Sequence, residues 1–289
     1  MTTLTRPDTY APADLNLSRR GVAALFFSGY AVAALSAEAE PVHTDEAGLI
    51  CEAVRYPSNG FDLPAYVARP AAKGRHPTVL VASEIFGVHD YIKDTCRRLA
   101  KLGYVAIAPA FFVRVADPAP LADIAAVIKI IRQAGDAQIL GDVAATLAYL
   151  KAQPYVNPRR LAITGFCWGG AVTWISCEEF ADFKAGVAWY GQMTPPAEGG
   201  DPQRHWAVKG VAKLHTPVLG LYGAKDALAE QIPAMRAALT AAGKTSSQIV
   251  IYPDAGHGFH ADYRASYNAA DAKDGWSRML AHFKAHGVG

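Results

Sequence analysis

Short apolar runs that alternate with segments of helical periodicity are the feature that most constrains the fold of this chain. Such runs are typical of strands buried on both faces of a parallel sheet, and the alternation predicts an α/β fold with a doubly wound, mostly parallel sheet. The predicted strands are residues 78–82, 104–108, 160–164, 185–189, 217–222 and 248–252. The predicted helices are residues 91–102, 137–152, 169–180, 232–242 and 265–286.

The chain before the first of these strands predicts an antiparallel N-terminal edge. Residues 50–69 contain two strand-like runs on either side of Pro-Ser-Asn-Gly at residues 57–60. Asn-Gly favours a tight hairpin turn because both residues adopt left-handed backbone conformations at low cost. No linker rich in Pro, Gly or Ser divides residues 40–289, so we expect these residues to form one domain.

The first 39 residues have the composition of an export signal. Arg19 and Arg20 end a polar lead, and the uncharged residues 21–37 follow them. This run is shorter than the roughly 20 residues that a membrane-spanning helix needs, and Ala37 and Ala39 supply small residues for cleavage. We predict a signal peptide at residues 1–39, of twin-arginine type, and a periplasmic protein without stable membrane insertion after cleavage. The alternative is an uncleaved extension on a cytoplasmic protein.

Composition and charge argue against several other classes of protein. The 28 Lys and Arg residues nearly balance the 26 Asp and Glu residues, the net charge is +2, and no basic run stands out. We therefore expect no nucleic-acid partner. The four cysteines are too few for a disulfide scaffold and contain no CxxC pair. We expect Cys96 and Cys177 in the core, whereas Cys51 precedes the first parallel strand and a pairing of its thiol stays open.

One turn carries the clearest catalytic pattern. Residues 160–164 are strand-like, residues 165–170 are Gly-Phe-Cys-Trp-Gly-Gly, and a helix-compatible stretch follows at once. Strand, sharp turn and helix in this order match the nucleophile elbow G-x-S-x-G, with Cys167 in place of serine. The glycines let the strand and the helix approach each other closely. We expect Cys167 at the exposed tip, where the helix N-terminus favours a thiolate.

Two later strand ends supply partners for this thiol in the order nucleophile, acid, histidine. Asp226 ends a Gly-Ala-Lys-Asp turn after the strand at 217–222, and His257 follows the strand at 248–252 between two glycines. Cys167, Asp226 and His257 form the candidate triad, in which Asp226 orients His257 and His257 moves the proton of the thiol. The predicted oxyanion donors are the backbone N–H groups of Trp168 and Ile85.

Simpler interpretations of the same residues stay open. Asp226 also fits the N-cap of a short helix, and His257 also fits an ordinary loop histidine. His257, His260 and Asp262 can be drawn as a metal cluster, but they lack a further ligand group. We therefore predict no metal.

Taken together, these motifs resemble those of the dienelactone hydrolase family. Beside the elbow cysteine, the chain has Ser-Glu-Ile-Phe-Gly at residues 83–87, Gly-Ala-Lys-Asp at 223–226 and Gly-His-Gly-Phe at 256–259. The resemblance spans residues 50–285 and implies an α/β-hydrolase fold, a Cys-His-Asp triad and no cofactor. It implies hydrolysis of small-molecule lactones or other esters, in the carboxymethylenebutenolidase class. It also implies that Glu84 contacts the resting thiol and helps to generate the thiolate when substrate binds, although a helix-capping or salt-bridging role fits Glu84 as well.

The family's pattern for substrate binding is kept in part. Dienelactone-specific members bind the substrate carboxylate with two arginines, and residues 108–114 resemble the family's segment, which places Arg114 near the pocket. The second arginine is missing, since Ala261 stands four residues after His257, unless Arg264 substitutes for it.

Tyr190 and Phe86 complete the predicted pocket wall, Tyr190 because it lies at a strand end. The leading interpretation is an ester or lactone hydrolase. The alternatives are a general carboxylesterase or thioesterase, and a non-catalytic protein that binds a ligand or senses oxidants through Cys167.

Overall fold

A computed structural model describes residues 41–196 and 204–289, which build one eight-stranded sheet with helices packed against it. The predicted signal peptide at residues 1–39 lies outside these residues. The strands follow the order β1-β2-β4-β3-β5-β6-β7-β8 across the sheet. They are β1 Leu49–Ser58, β2 Phe61–Pro70, β3 His76–Ala82, β4 Val105–Pro109, β5 Val156–Phe166, β6 Phe183–Trp189, β7 Val218–Gly223 and β8 Gln248–Tyr252.

The predicted architecture is confirmed. Strand β2 pairs antiparallel with both β1 and β4, and every other neighbouring pair in the sheet is parallel. The N-terminal hairpin turns where expected, with Asn59 at φ +48° and Gly60 at φ +73° between the paired residues Ser58 and Phe61. Strands β4 and β7 are buried at every position, as continuous apolar runs predict.

The helices agree with the predicted periods except at three places. The helices of the described chain are α1 Asp90–Lys101, α2 Ile124–Ile131, α3 Asp136–Ala152, α4 Trp168–Glu179, α5 Ala207–Gly210, α6 Ile232–Ala241 and α7 Ala269–Ala285, with 3-10 turns at Val211–Lys213 and Ala227–Gln231. Helices α2 and α5 are additional to the predicted set, and α7 begins four residues later than predicted. Asn268 caps α7 by accepting a hydrogen bond from the Asp271 N–H at 3.2 Å. No described helix is long and apolar enough to cross a bilayer.

The parallel strands β3, β5, β6, β7 and β8 determine where the site lies. Parallel strands all end at the same edge of their sheet, and the loops that follow them meet there. These loops carry the predicted site residues from Glu84 after β3 to His257 after β8, with the exception of Arg114, which follows β4. The topology therefore gathers groups that lie up to 173 positions apart, from residue 84 to residue 257, at one edge.

Candidate active site

The turn between β5 and α4 is a strained elbow with Cys167 at its tip. Cys167 has φ +55° and ψ −115°, a conformation that side-chain-bearing residues rarely adopt. A Cβ on Gly165 would approach the Gly169 carbonyl oxygen at 2.1 Å, and a Cβ on Gly169 would approach the Ala82 carbonyl oxygen at the same distance. The Cys167 N–H donates to the Trp189 carbonyl at 3.0 Å. Both flanking glycines are therefore required by close backbone approach, as the sequence predicts.

Asp226 and His257 meet at the ends of β7 and β8. The Asp226 Oδ2 atom lies 2.7 Å from His257 Nδ1, and Oδ1 accepts from the Leu228 N–H at 3.0 Å. Asp226 thus caps the turn Ala227–Gln231 and holds the imidazole at once, so its two interpretations are compatible. Burial lowers the pKa of His257 although Asp226 raises it. The neutral ring donates from Nδ1 to Asp226, which makes Nε2 the proton acceptor.

Burial has a larger effect on the pKa of the Cys167 thiol than the helix N-terminus has. It raises the pKa of Cys167 to about 12, and the Glu84 carboxylate raises it further, whereas Arg264 and the Trp168 N–H lower it. The sequence predicts an exposed thiol that ionises readily, but Cys167 is 4% exposed. The resting thiol is therefore neutral, because the N–H groups of the elbow do not compensate for its desolvation.

The carboxylate that acts on this thiol is itself firmly held. Glu84 is fully buried, with Oε1 2.8 Å from Arg264 Nη2 and Oε2 accepting from the Tyr263 hydroxyl at 2.6 Å. His89 Nε2 lies 3.5 Å from Oε2. Burial alone raises the pKa of Glu84, but Arg264, His89 and Tyr263 together lower it to about 2. Glu84 is therefore an anion placed close enough to Cys167 to oppose ionisation of its thiol.

The predicted oxyanion donors flank the elbow. The Trp168 N–H points to the Cys167 sulfur. Ile85 is buried in the turn after β3, and its N–H makes no hydrogen bond within the part of the chain that the structure describes. Gly169 packs directly on the end of β3, the strand that Ile85 follows. Phe112 packs on the Trp168 ring at 4.6 Å between ring centroids.

Arg114 does not join this cluster. Its Nη2 atom pairs with the buried carboxylate of Asp142 and donates to the Ser58 carbonyl at 3.0 Å, while its guanidinium lies 4.6 Å from the centre of the Phe61 ring. Arg264, considered in the sequence only as a substitute, is the arginine that acts on Cys167. The assignment of Arg114 to substrate binding stays a prediction.

The two aromatic residues of the predicted wall lie beside catalytic candidates. The Tyr190 ring meets the His257 ring edge to face, with centroids 5.0 Å apart. Phe86 is half-buried, and its ring centre lies 5.4 Å from the guanidinium carbon of Arg264. Both rings therefore border the groups that surround the thiol.

The alternative metal cluster has no geometric support. His257 faces Asp226, His260 Nδ1 lies 2.6 Å from the Tyr91 hydroxyl, and Asp262 is 2.5 Å from Arg98 Nη2. Within residues 41–196 and 204–289, no three His, Cys, Asp or Glu side chains converge as metal ligands. The thiols of all four cysteines are free, with Cys96 and Cys177 buried as expected.

Sequence reasoning missed Tyr263 and His89 as partners of Glu84. Tyr263 is 179 positions from Glu84, in a loop without periodicity, so no local pattern links the two. His89 lies five positions after Glu84 in the loop that precedes α1, where a histidine near a carboxylate is the only available signal.

An elbow nucleophile after a central parallel strand, with an acid and a histidine after later strands, defines an α/β-hydrolase. The dienelactone hydrolase family model matches residues 63–287, and the chain belongs to this family. It is a hydrolase of the carboxymethylenebutenolidase class, and the family implies a small-molecule ester or lactone as substrate.

Individual relatives agree with this assignment. A "Putative carboxymethylenebutenolidase" of Methylorubrum extorquens is 44% identical over 284 residues, which cover 96% of each chain. A protein of the same name from Salmonella typhimurium is 43% identical over 264 residues, 90% of this chain and 96% of the relative. The crystal structure of a "Putative Dienelactone Hydrolase" from Klebsiella pneumoniae subsp. pneumoniae superposes with a TM-score of 0.76 at 45% identity and covers 82% of this chain and 98% of that one.

Proposed function

We propose that the protein hydrolyses its ester or lactone through Cys167, His257 and Asp226, with an acyl-cysteine intermediate. The observation that carries the proposal is the 2.7 Å contact between Asp226 and His257 at the strand edge where the Cys167 elbow also lies. A carboxylate that fixes the imidazole tautomer beside a nucleophile is the arrangement that acyl transfer requires.

The acylation step follows from these positions. The Cys167 sulfur bonds to the ester carbonyl carbon while the thiol proton moves to His257 Nε2. The carbonyl oxygen becomes an oxyanion, which the N–H groups of Trp168 and Ile85 stabilise. When the tetrahedral intermediate collapses, the carbon–oxygen bond breaks, and the leaving oxygen takes the proton from His257.

Deacylation uses the same groups with water as the nucleophile. His257 accepts a proton from water, the hydroxyl oxygen bonds to the acyl carbon, and the carbon–sulfur bond breaks with return of the proton to Cys167. Asp226 stabilises the imidazolium in both steps. The product is a carboxylic acid, and no cofactor enters the balance of atoms.

The resting state favours hydrolysis over oxidant sensing. A thiol sensor needs a readily formed thiolate, whereas burial and Glu84 hold the pKa of Cys167 near 12. A hydrolase tolerates a neutral resting thiol because His257 removes the proton during attack. Glu84 has the position to change the ionisation of Cys167 when a ligand rearranges its contacts with Arg264 and Tyr263, in line with the role that the family resemblance gives it.

The test is turnover of an activated aryl ester and of a dienelactone by wild type, Cys167→Ala and His257→Ala. We expect each substitution to lower kcat by about 10⁴-fold, as removal of a triad member does. Cys177→Ala is the matched control, because it removes a buried thiol from the same helix, ten positions later, and should retain activity. Peptide mass spectrometry after acid quench of wild type during turnover of the aryl ester should show one acyl adduct, on Cys167.

Equal rates in wild type and Cys167→Ala would contradict the proposal, as would an acyl adduct on a residue other than Cys167. A panel of neutral and carboxylate-bearing esters separates the within-class alternatives. A preference for carboxylates that Arg264→Met removes supports a lactone with an acidic group, and equal use of neutral esters or thioesters supports a general esterase or thioesterase.

A further inference from the structure

Tyr190 has a backbone conformation that is costly for an aromatic residue. Its φ is +39°, and it follows β6 directly. The conformation is imposed by its neighbours, since the Tyr190 N–H donates to the Leu221 carbonyl at 2.8 Å and Gly191 packs against the backbone of Gly170. The Tyr222 hydroxyl donates to the Gly191 carbonyl at 2.8 Å. Strain of this kind is found at functional sites, where the surroundings maintain it.

The side chain of Tyr190 carries a second cost. It is fully buried, and its hydroxyl has no hydrogen-bond partner among residues 41–196 and 204–289. A buried hydroxyl without a partner destabilises a protein, so its presence suggests a partner supplied by a ligand. Tyr91 shows the contrast, because it is equally enclosed but its hydroxyl is satisfied by His260.

The hydroxyl of Tyr190 lies close enough to the catalytic candidates for their charges to act on it. Burial raises its pKa well above the ordinary value, and Glu84 and Cys167 raise it further, while Arg264 opposes them. The group therefore stays protonated and can act as a hydrogen-bond donor. Its ring packs edge to face on His257.

The order of strands indicates which oxygen this donor serves. Ile85 follows β3 and Tyr190 follows β6, and β5 with its Cys167 elbow lies between these two strands. The predicted donor Ile85 is thus on the β3 side of Cys167, whereas Tyr190 is on the other side, against the imidazole that protonates the leaving oxygen.

We propose that Tyr190 is a further catalytic residue, whose phenol donates a hydrogen bond to the leaving-group oxygen of the substrate. This inference rests on the proposed function. As the carbon–oxygen bond breaks, its electron pair passes to the leaving oxygen. Tyr190 stabilises that charge while His257 supplies the proton, and Tyr190 keeps its own proton throughout.

The test uses Tyr190→Phe with aryl acetates whose phenol leaving groups span a range of pKa. Acylation is isolated as the burst of phenol release. Donation to the leaving oxygen matters most where negative charge on it is least stable, so the loss should be about 30-fold for the poorest leaving group and under about 3-fold for the best. Because the hydroxyl has no protein partner to lose, the melting temperature of Tyr190→Phe should equal or exceed that of wild type.

Tyr252→Phe is the matched control. The rings of Tyr190 and Tyr252 both contact Phe259, but the Tyr252 hydroxyl donates to Asp274. Tyr252→Phe should leave the dependence of the acylation rate on leaving-group pKa unchanged. An equal loss for all leaving groups, no loss at all, or a loss confined to deacylation would overturn the inference. Cys167→Ala distinguishes the two failures: if it retains burst and turnover, the proposed function fails, and if it abolishes both while Tyr190→Phe matches wild type, only the role of Tyr190 fails.

Discussion

Among the described residues, two of the arginine–carboxylate pairs with a buried carboxylate are Arg264–Glu84 and Arg114–Asp142, and they differ in what surrounds them. Arg264 and Glu84 lie beside the thiol, and both oxygens of Glu84 are hydrogen-bonded, to Arg264 and to Tyr263. Arg114 and Asp142 join the loop after β4 to helix α3. In this second pair Asp142 Oδ2 and Arg114 Nε have no hydrogen-bond partner within the described residues.

The difference distinguishes a pair whose charges act on Cys167 from a pair whose contacts among the described residues are structural. The pair at the site is fully hydrogen-bonded, and the charges of both members change the pKa of Cys167. Arg114 is not among the main influences on the thiol, and its contacts to Ser58 and Phe61 fasten the N-terminal hairpin. Burial of an arginine therefore does not indicate its role. Its effect on the pKa of Cys167 is the more informative observation.

The largest expected effect is the loss of activity on replacing the arginine at the site. Arg264→Met and Arg114→Met each leave a buried carboxylate without its cation, and each should lower the free energy of unfolding by about 3–5 kcal/mol. Only Arg264→Met should also lower kcat/KM, on the order of 100-fold, because it removes the charge that acts on Cys167 and holds Glu84. Urea unfolding and ester turnover at a temperature where both variants are folded measure the two effects.

The double variant Glu84→Gln/Arg264→Met tests whether Arg264→Met loses activity only because it unfolds. With the charge of Glu84 removed as well, stability should partly recover while activity stays low. Equal losses of kcat/KM in Arg264→Met and Arg114→Met would contradict the distinction between the pairs.

The sequence predicts most of the fold because most elements here have unambiguous periods. The longest exception is helix α2, with the sequence Ile-Ala-Ala-Val-Ile-Lys-Ile-Ile at residues 124–131. An apolar run of eight residues rich in Ile fits a buried strand as well as a helix, and length alone does not separate the two. The structure makes it a helix through tertiary packing and an N-cap, in which Asp123 accepts from the Ala125 N–H.

The site residues also fall into two groups: those whose positions follow from local sequence patterns, and those whose partners are distant in the sequence. Cys167, Asp226 and His257 follow predicted strands within a few residues, so their meeting at one sheet edge follows from topology. The pairing of Arg264 with Glu84 does not follow from topology, because Glu84 is 180 positions away and the choice among carboxylates depends on side-chain packing. The pairing of Arg114 with Asp142 is equally hidden from the sequence, and the place of Arg114 in substrate binding stays a prediction.

The next largest effect is a dependence of stability on pH that comes from Glu84 at the site. The folded-state pKa of Glu84 is lowered to about 2 from an ordinary 4.5, so its ionised form stabilises the fold fully above about pH 5, and this contribution is lost as the pH falls toward 2. The difference in unfolding free energy between wild type and Glu84→Gln should shrink by about 2 kcal/mol between pH 6 and pH 3.

Urea titrations of wild type and Glu84→Gln between pH 6 and pH 3 measure this difference in unfolding free energy. The other titratable groups are common to the two proteins, so their contributions cancel in the difference. A difference that stays constant, or that grows as the pH falls, would show that Glu84 is not held as an anion by Arg264, His89 and Tyr263.

A smaller effect concerns the reactivity of Cys167 in the absence of substrate. Burial is the main cause of its raised pKa, but Glu84 adds to it and Arg264 opposes it. Glu84→Gln should therefore speed alkylation of Cys167 by iodoacetamide, and Arg264→Met should slow it, each by about tenfold, which corresponds to about one pKa unit. Peptide mass spectrometry follows the adduct, and Asp142→Asn is the control that should react at the wild-type rate. Shifts of the two variants in the same direction would contradict the opposing action of the pair.

The smallest expected effect concerns the aromatic rings that the two guanidinium groups face. Phe61 lies 4.6 Å from Arg114 and Phe86 lies 5.4 Å from Arg264, so the first contact is the closer one. Phe61→Leu should lower the free energy of unfolding by about 0.5–1 kcal/mol, the size of a cation–π contact, and should leave kcat/KM and Cys167 alkylation unchanged. Phe86→Leu should cost less stability but should raise KM, because its ring borders the predicted pocket. Urea midpoints and initial rates for the two variants test both halves. If Phe61→Leu altered KM as much as Phe86→Leu does, the Arg114 pair would share in substrate binding, and its description as a purely structural anchor would be wrong.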